Sequence, residues 1–289
     1  MEETPQYRVW IRLDRVWFSG SVALVSLVGV ALSVFSPWFL LFVIPFGVFL
    51  YISIIVGMCA YRLSSKGGDF QRRIHELVTS LVKKPEGDLC RKVLDVGCGN
   101  ASLTVKMARQ FPEGEVYGVD SWGADWSYTK QQCERNARLE GVGERVVFEK
   151  QSASSLAFPD QDFDVVVSCL TFHEVNDAPD KLTALREALR VLRRGGQFVF
   201  LDLFADNQFF ESPERVRKVL AESGADVAYL KKLDQYMSLP FPLMNKKAMG
   251  HAMVVAGKNC SFPTFPLLVR FSSLLAITVG RLAGCLAEV

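Results

Sequence analysis

The chain has 289 residues, 49% of them hydrophobic, and its 33 Lys and Arg against 31 Asp and Glu leave a formal net charge of +2. That length holds one or two domains, and a charge so near neutral, with its Lys and Arg evenly spread, excludes the basic face that holds a nucleic-acid-binding protein to phosphates. Seven cysteines, Cys59, Cys90, Cys98, Cys133, Cys169, Cys260 and Cys285, form no CxxC pair and no repeated spacing, which excludes a zinc ribbon or a disulfide framework and leaves reduced thiols.

From residue 16 to residue 61 no side chain is charged. A helix needs about 20 residues to cross the hydrocarbon core of a bilayer, so this stretch is long enough for two. The expectation is a hairpin of two transmembrane helices, about 16–36 and 38–61, turning at Ser36-Pro37-Trp38. Proline disfavours helix in the residue before it, and tryptophan suits the headgroup region. Arg8, Arg12 and Arg15 precede the first span and Arg62, Lys66, Arg72 and Arg73 follow the second, while the turn has no charge. The positive-inside rule then puts both ends, and whatever domain follows, on the cytoplasmic side, with Trp17 and Tyr61 at one interface. Ser53 and Gly57 form a small-xxx-small pair that can seat one span on the other. A buried hairpin of a soluble protein, or a signal peptide followed by a core helix, fits less well, because the uncharged run is too long and no small-residue cleavage site precedes a polar start.

The sequence thus divides into an anchor (1–62), a domain (63–258) and an apolar tail (259–289). Arg270 and Arg281 leave too short an uncharged run in the tail to span, so an interfacial helix is expected there.

Within the domain, Phe70, Ile74, Leu77, Val78 and Leu81 have helical spacing, closed by Pro85-Glu86-Gly87. Strands and helices then alternate: strand 92–96, helix 102–111, strand 115–120, helix 127–140 with Ser127 as cap, strands 145–150 and 163–168. A helix through Leu182, Leu185, Leu189 and Leu192 ends at Gly195-Gly196 before a strand at 197–203. A helix at 213–223 and two weaker strands, 226–230 and 251–256, complete the domain. Such alternation specifies right-handed crossovers and an α/β fold, a Rossmann-like, mainly parallel sheet with helices on both faces and ligands at the carboxyl ends of its strands.

The loop after the first strand, in VLDVGCGNA, narrows the ligand. A phosphate-gripping loop would need Lys-Ser or Lys-Thr, which is absent, and the dinucleotide fingerprint would need a small sixth residue where Ser102 stands. The stronger match is Asp95-x-Gly97-x-Gly99: a carboxylate at the strand's end would repel a pyrophosphate but suits a ligand carrying an ammonium and a sulfonium. Asp120, at the end of the second strand, is placed to accept hydrogen bonds from two ribose hydroxyls. Cys98 reads as a small side chain filling the turn.

These segments resemble the class I S-adenosylmethionine-dependent methyltransferases, in particular the small-molecule group related to quinone and sterol methyltransferases. VLDVGCGNA is similar to the family's first motif, VYGVD to its second, FDVVVSCLTFHEV to its fourth-strand motif and LREALRVLRRGGQFVFLD to the helix, turn and fifth strand. The resemblance implies S-adenosyl-L-methionine as cofactor and S-adenosyl-L-homocysteine as product. It puts the methionine moiety near Asp95, Gly97 and Gly99 with Cys98 between them, the ribose on Asp120, and the adenine beside Ser121 and Ser152-Ala153, with Ser168 at the fourth strand's end in the same binding set. Two departures stand out: Ala101 replaces the third loop glycine, tolerable if its backbone is right-handed helical, and Ser152 replaces the usual Asp. Trp122 and Trp126 can wall the adenine pocket or serve packing.

His173, in TFHEV, is the candidate base or hydrogen-bond anchor for a methyl acceptor, since an unperturbed imidazole titrates near neutrality. His75 and His251 match no constellation, and no His, Asp and Glu cluster has metal-ligand spacing. Phe204, Phe209, Phe210, Tyr236, Met237, Phe241 and Met244 lie where the family covers its acceptor, and they suggest an apolar one. The expectation is a membrane-anchored methyltransferase acting on a lipophilic small molecule (a quinone, isoprenoid, acyl lipid or thiol), with membrane lipids as its surroundings and no nucleic acid. The alternatives are methylation of a membrane protein, or a non-catalytic sensor of the cofactor. An NAD oxidoreductase ranks lower because of Asp95 and the missing sixth-position glycine.

Overall fold

The computed structural model of the protein describes residues 3–84, 90–123 and 128–260. Pro85-Glu86-Gly87, Trp126, Ser127, Cys285 and the tail helix expected after residue 260 lie outside the described residues.

The apolar N-terminal stretch forms two helices, α1 (Leu13–Leu32) and α2 (Val43–Leu63), joined through a 3-10 turn at Pro37–Phe42. The first helix therefore ends four residues before the boundary expected at 36, and Pro37 opens the second segment instead of separating two spans. Proline is suited to that place, because a first-turn residue has no intrahelical use for the N–H it lacks. Pro45 falls within the first turn of α2, where the N–H it lacks has no partner inside that helix. The helices meet along small residues: Ser19, Ala23, Ser26 and Gly29 are the buried positions of α1. A Cβ on Gly29 would lie 2.4 Å from the Phe42 ring, and one on Gly20 would lie 3.4 Å from Ser53 Oγ, so the backbones approach closely where side chains are least. Outward, the pair presents Trp17, Phe18, Val34, Phe35, Trp38 and Ile44, each exposed.

α3 (Phe70–Leu81) turns Phe70, Ile74 and Val78 inward, as its periodicity requires. The sheet follows, with α4 (Ser102–Gln110) between β1 (Lys92–Val96) and β2 (Glu115–Asp120), and α5 (Lys130–Leu139) before β3 (Val146–Lys150). After β4 (Phe163–Cys169) come α6 (Leu182–Arg190), β5 (Leu192–Asp202), α7 (Asn207–Phe210), α8 (Pro213–Glu222), β6 (Ala225–Lys232) and β7 (Met253–Asn259). The strand order is β3-β2-β1-β4-β5-β7-β6, parallel through β5, with β7 antiparallel to both neighbours. Alternation along β1 feeds two cores: Val93 packs with α3 and α4 residues such as Ile74 and Met107, while Leu94 and Val96 pack with Leu185 and Leu220 on the other face.

Three local expectations are corrected. The helix expected from Ser127 begins at Lys130, where Thr129 caps it by accepting a hydrogen bond from the Gln132 N–H. Leu192 belongs to the fifth strand rather than the preceding helix: it pairs with Phe163, and the register shift between Phe163 and Val165 leaves Gly195-Gly196 inside the strand. Ala101 is left-handed (φ 70°), not right-handed helical.

Candidate active site

The carboxyl ends of β1, β2, β4 and β5 converge on one cavity of about 1010 Å³, at the upper end of the roughly 300–1,000 Å³ that small-molecule sites occupy. Asp95, Gly97, Cys98, Gly99, Asp120, Ser121, Ser152, Ala153 and His173 all line it. Ser168 does not join them: buried in the sheet, it donates its hydroxyl to the Val96 carbonyl (2.8 Å) and ties β4 to the end of β1.

The glycine loop leaves β1 as a tight turn. Gly97 and Cys98 donate their N–H groups to the Val119 carbonyl at 2.8 and 3.0 Å, which closes the loop onto β2. Gly97 has φ +77°, and a Cβ there would fall 2.0 Å from Thr171 Oγ1, so glycine is required both by conformation and by the close passage of the loop after β4. Asp120 accepts from the Gly99 N–H (2.9 Å) with one carboxylate oxygen and from the Trp122 N–H (2.8 Å) with the other. It is thereby fixed in direction, and the lone pairs left on each oxygen remain available to hydroxyl donors. Trp122 turns its indole N–H to the Gly99 carbonyl (3.0 Å) and packs on the core, so it braces the loop instead of walling the pocket.

Asp95 is buried and accepts a short bond from the Thr104 hydroxyl (2.6 Å). Burial, with Asp120 nearby and against the Thr104 bond, pushes its carboxyl up to about 7. Burial likewise raises the Cys98 thiol, which stays protonated and fills space against Gly118 as a small hydrophobe.

At the other side of the cavity, His173 sits in a 3-10 turn after β4 with its Nδ1 2.6 Å from Asp202 Oδ1. Asp202 is fully buried at the end of β5 and also accepts from the Thr171, Phe172 and Leu203 N–H groups. Burial alone disfavours the imidazolium, but the Asp202 carboxylate and then Glu174 outweigh it and hold His173 up to about 10. Of the two roles expected for His173, base or hydrogen-bond anchor, an imidazole held this far above its ordinary value favours the anchor. Asp202 escaped the sequence reading because an Asp at a strand end is common; its place in FLDL, one strand over from the histidine, is the only signal it carries.

The N-terminal segment is the larger omission. Gln71 and Asn136 act as surrogate strands for it: Gln71 accepts from the Trp10 N–H and donates to the Arg8 carbonyl, and Asn136 does the same for both backbone groups of Gln6 while also holding the Asn100 carbonyl. Asn100 and Tyr128 add bonds to the carbonyls of Arg8 and Val9. Residues 6–10 are thus strapped across the loop side of the cavity, where Trp10 meets His75 edge to face. His75 itself is neutral, its pKa lowered to about 3 by burial. Arg15 at the start of α1, and Cys59 and Leu63 at the end of α2, complete the wall. Of the aromatic and Met residues expected over an acceptor, Phe209 lines the cavity, 5.4 Å from the His173 ring. Phe204 and Phe210 are core, Tyr236 and Met237 pack beneath, and Phe241 and Met244 face outward.

Residues 94–200 match a family described as Methyltransferase domain. The chain is 32% identical over 172 residues to a 27-O-demethylrifamycin SV methyltransferase of Amycolatopsis mediterranei (strain S699), covering 57% of each. It is 34% identical over 122 residues, 39% of this chain and 45% of the relative, to a demethylmenaquinone methyltransferase of Geobacillus sp. (strain WCH70). The chain spans about half the length of the curated relatives it matches. Among solved structures, a geranyl diphosphate C-methyltransferase from Streptomyces coelicolor A3(2), in complex with Mg2+, geranyl diphosphate and S-adenosyl-L-homocysteine, superposes with a TM-score of 0.53 at 15% identity, over 68% of this chain and 81% of that one. Residues 94–200 are thus similar to a methyltransferase domain, the sheet shares the fold of that solved methyltransferase, and S-adenosylmethionine is the cofactor that the similarity implies. The donor set fits that cofactor: the buried Asp95, the half-buried Asp120 and a glycine turn suit a cation and hydroxyls, and would repel a pyrophosphate.

Proposed function

We propose that the protein is a membrane-anchored S-adenosylmethionine-dependent methyltransferase whose acceptor is a lipophilic small molecule. One observation carries the reading: a single cavity runs from the glycine loop and Asp120 to Arg15, Cys59 and Leu63 at the inner ends of α1 and α2. α1 is inverted relative to a soluble core helix, burying Ser, Ala and Gly, and both helices expose large apolar side chains such as Trp17, Phe18 and Ile44, which suits hydrocarbon surroundings. The basic residues flanking them support a domain on the cytoplasmic side. A cavity wall made of span ends favours an acceptor that partitions into the bilayer, where tethering raises its effective concentration.

Asp95 and the Gly97–Gly99 turn would hold the amino-acid part of the cofactor, Asp120 its ribose, and Ser121 and Ser152-Ala153 the adenine. When bound, S-adenosylmethionine supplies an electrophilic methyl group on a sulfonium. The protein's own part is alignment and exclusion of water, by which positioning alone lowers the barrier substantially. His173, held charged by Asp202, donates a hydrogen bond to an acceptor oxygen and stabilises it as an anion, while Phe209 packs on the acceptor's apolar body. The test of cofactor binding is Asp120→Ala in titration calorimetry: affinity for S-adenosylmethionine should fall while the thermal transition persists, and unchanged affinity would remove the ribose role.

A further inference from the structure

Outside the apolar hairpin of residues 13–63, Val147, Phe241 and Met244 are the large hydrophobic side chains exposed among the described residues. Val147 stands alone on the edge strand β3, at the far side of the sheet. Phe241 and Met244, at 50% and 58% exposure, share one loop between β6 and β7 with Lys246 and Lys247, two exposed cations that have no ion-pair partner among the described residues.

This loop is not a loose excursion. Its inner side buries Leu239, Leu243 and Met249. Its backbone is closed on itself by bonds from the Asn245 N–H to the Pro242 carbonyl (3.0 Å), from Met249 to Leu243 (3.0 Å) and from Gly250 to Asn245 (3.0 Å). A rigid loop that presents two apolar side chains beside two lysines has the composition of an interfacial membrane contact: apolar groups enter the acyl boundary and cations meet anionic headgroups. Its position agrees, because Leu243, Lys246 and Lys247 line the same cavity as Arg15, Cys59 and Leu63. In α2 the only buried residues are Cys59 and Leu63, so the helix touches the domain just where it would leave the membrane.

We infer that the Leu239–Met249 loop is a second membrane contact, inserted into the cytoplasmic leaflet that the hairpin enters, and that loop and span ends together frame a mouth opening into that leaflet. An acceptor enters there sideways, its polar end reaching His173 while its tail stays among the lipids. Arg15, Lys246 and Lys247 at the rim select phospholipid headgroups, and favour acceptors with an anionic end. This rests on the membrane reading of the hairpin proposed above.

The experiment uses the full chain, reconstituted into vesicles of phosphatidylcholine and phosphatidylglycerol with a radiolabelled phospholipid. A photo-crosslinking phenylalanine analogue is placed in turn at Phe241, at Ile44 in α2, and at Val147. Label at positions 241 and 44 but not at 147 is the expected result. Label at 44 with none at 241 above the 147 background overturns the loop contact and leaves the hairpin standing, with a protein partner over Phe241 then the better reading. No label at 44 overturns the hairpin reading and the inference with it, and equal label at all three shows indiscriminate contact and also overturns it. The double variant Lys246→Gln, Lys247→Gln should lower crosslinking from position 241 by about fivefold per charge in phosphatidylglycerol-containing vesicles. In vesicles of phosphatidylcholine alone it should have no effect; equal loss in both lipids would contradict the headgroup role.

Discussion

Asp95 and His173 are two side chains whose surroundings shift them in ways the sequence alone does not state. With its carboxyl at about 7, Asp95 is half ionised at neutral pH before any cation binds. A cationic ligand favours the ionised form, so affinity for S-adenosylmethionine should rise about tenfold between pH 6 and 8, and Asp95→Asn should flatten that part of the profile in calorimetry. A wild-type profile as flat as the variant's would mean that the carboxylate does not face the ligand's charge. His173 runs the other way. Its value of about 10 lies above the ordinary 6.5, so the stability the Asp202 pair contributes is full below pH 6.5 and is lost as pH climbs through about 10. His173→Gln should therefore lower the melting temperature most at about pH 6.5 and just below, with the gap to wild type closing toward pH 10. The same variant should reduce methyl transfer by about a hundredfold or more with cofactor affinity kept. Asp202→Asn should bring the His173 NMR titration down toward the ordinary value, a shift that a merely structural Asp202 would not produce. The sequence shows the histidine at the end of the fourth strand. The partner that fixes its charge lies 29 residues on, in a neighbouring strand, and only the sheet register brings the two to hydrogen-bond distance.

At the scale of elements, the glycine turn and the N-terminal strap carry the site. Gly97→Ala puts a methyl into Thr171 at a positive φ, and should cost about 1–2 kcal/mol for the backbone alone, with further loss from the clash. The variant should melt lower and bind cofactor weakly, and a variant that binds as well as wild type would show that the loop relaxes freely. Asn136→Ala removes the group that satisfies both backbone atoms of Gln6 and the Asn100 carbonyl; water can replace it at the exposed Gln6, but the buried Asn100 carbonyl left without a partner costs about 1–3 kcal/mol. Amide exchange at residues 6–10 should accelerate markedly in that variant; unchanged protection would mean the strap is held elsewhere. The domain's strands and helices were legible because hydrophobic period, glycines and prolines agree. The left-handed Ala101 and the strand beginning at Leu192 were not, since each is imposed by a neighbour: the loop's closure on β2, and pairing with Phe163. The strap was illegible for a related reason. Gln6 to Trp10 have no periodicity, and their partners are side-chain amides 61 to 130 residues away.

In the whole molecule, an apolar hairpin and the sheet's glycine loop share one cavity. The uncharged run announced the hairpin, and the motifs announced the sheet, but nothing in the sequence says that Cys59, Leu63 and Arg15 form part of the pocket wall. On the membrane reading proposed above, that joining makes the hairpin more than a tether and favours an acceptor that partitions into the bilayer. The most direct measurement is to incubate membranes holding the full chain with methyl-labelled S-adenosylmethionine, beside an Asp120→Ala control, and to partition the label among organic solvent, water and protein pellet. The account predicts label in the organic phase that depends on the intact Asp120. Label confined to the protein pellet or to the aqueous phase, or organic-phase label that persists in the control, would contradict it.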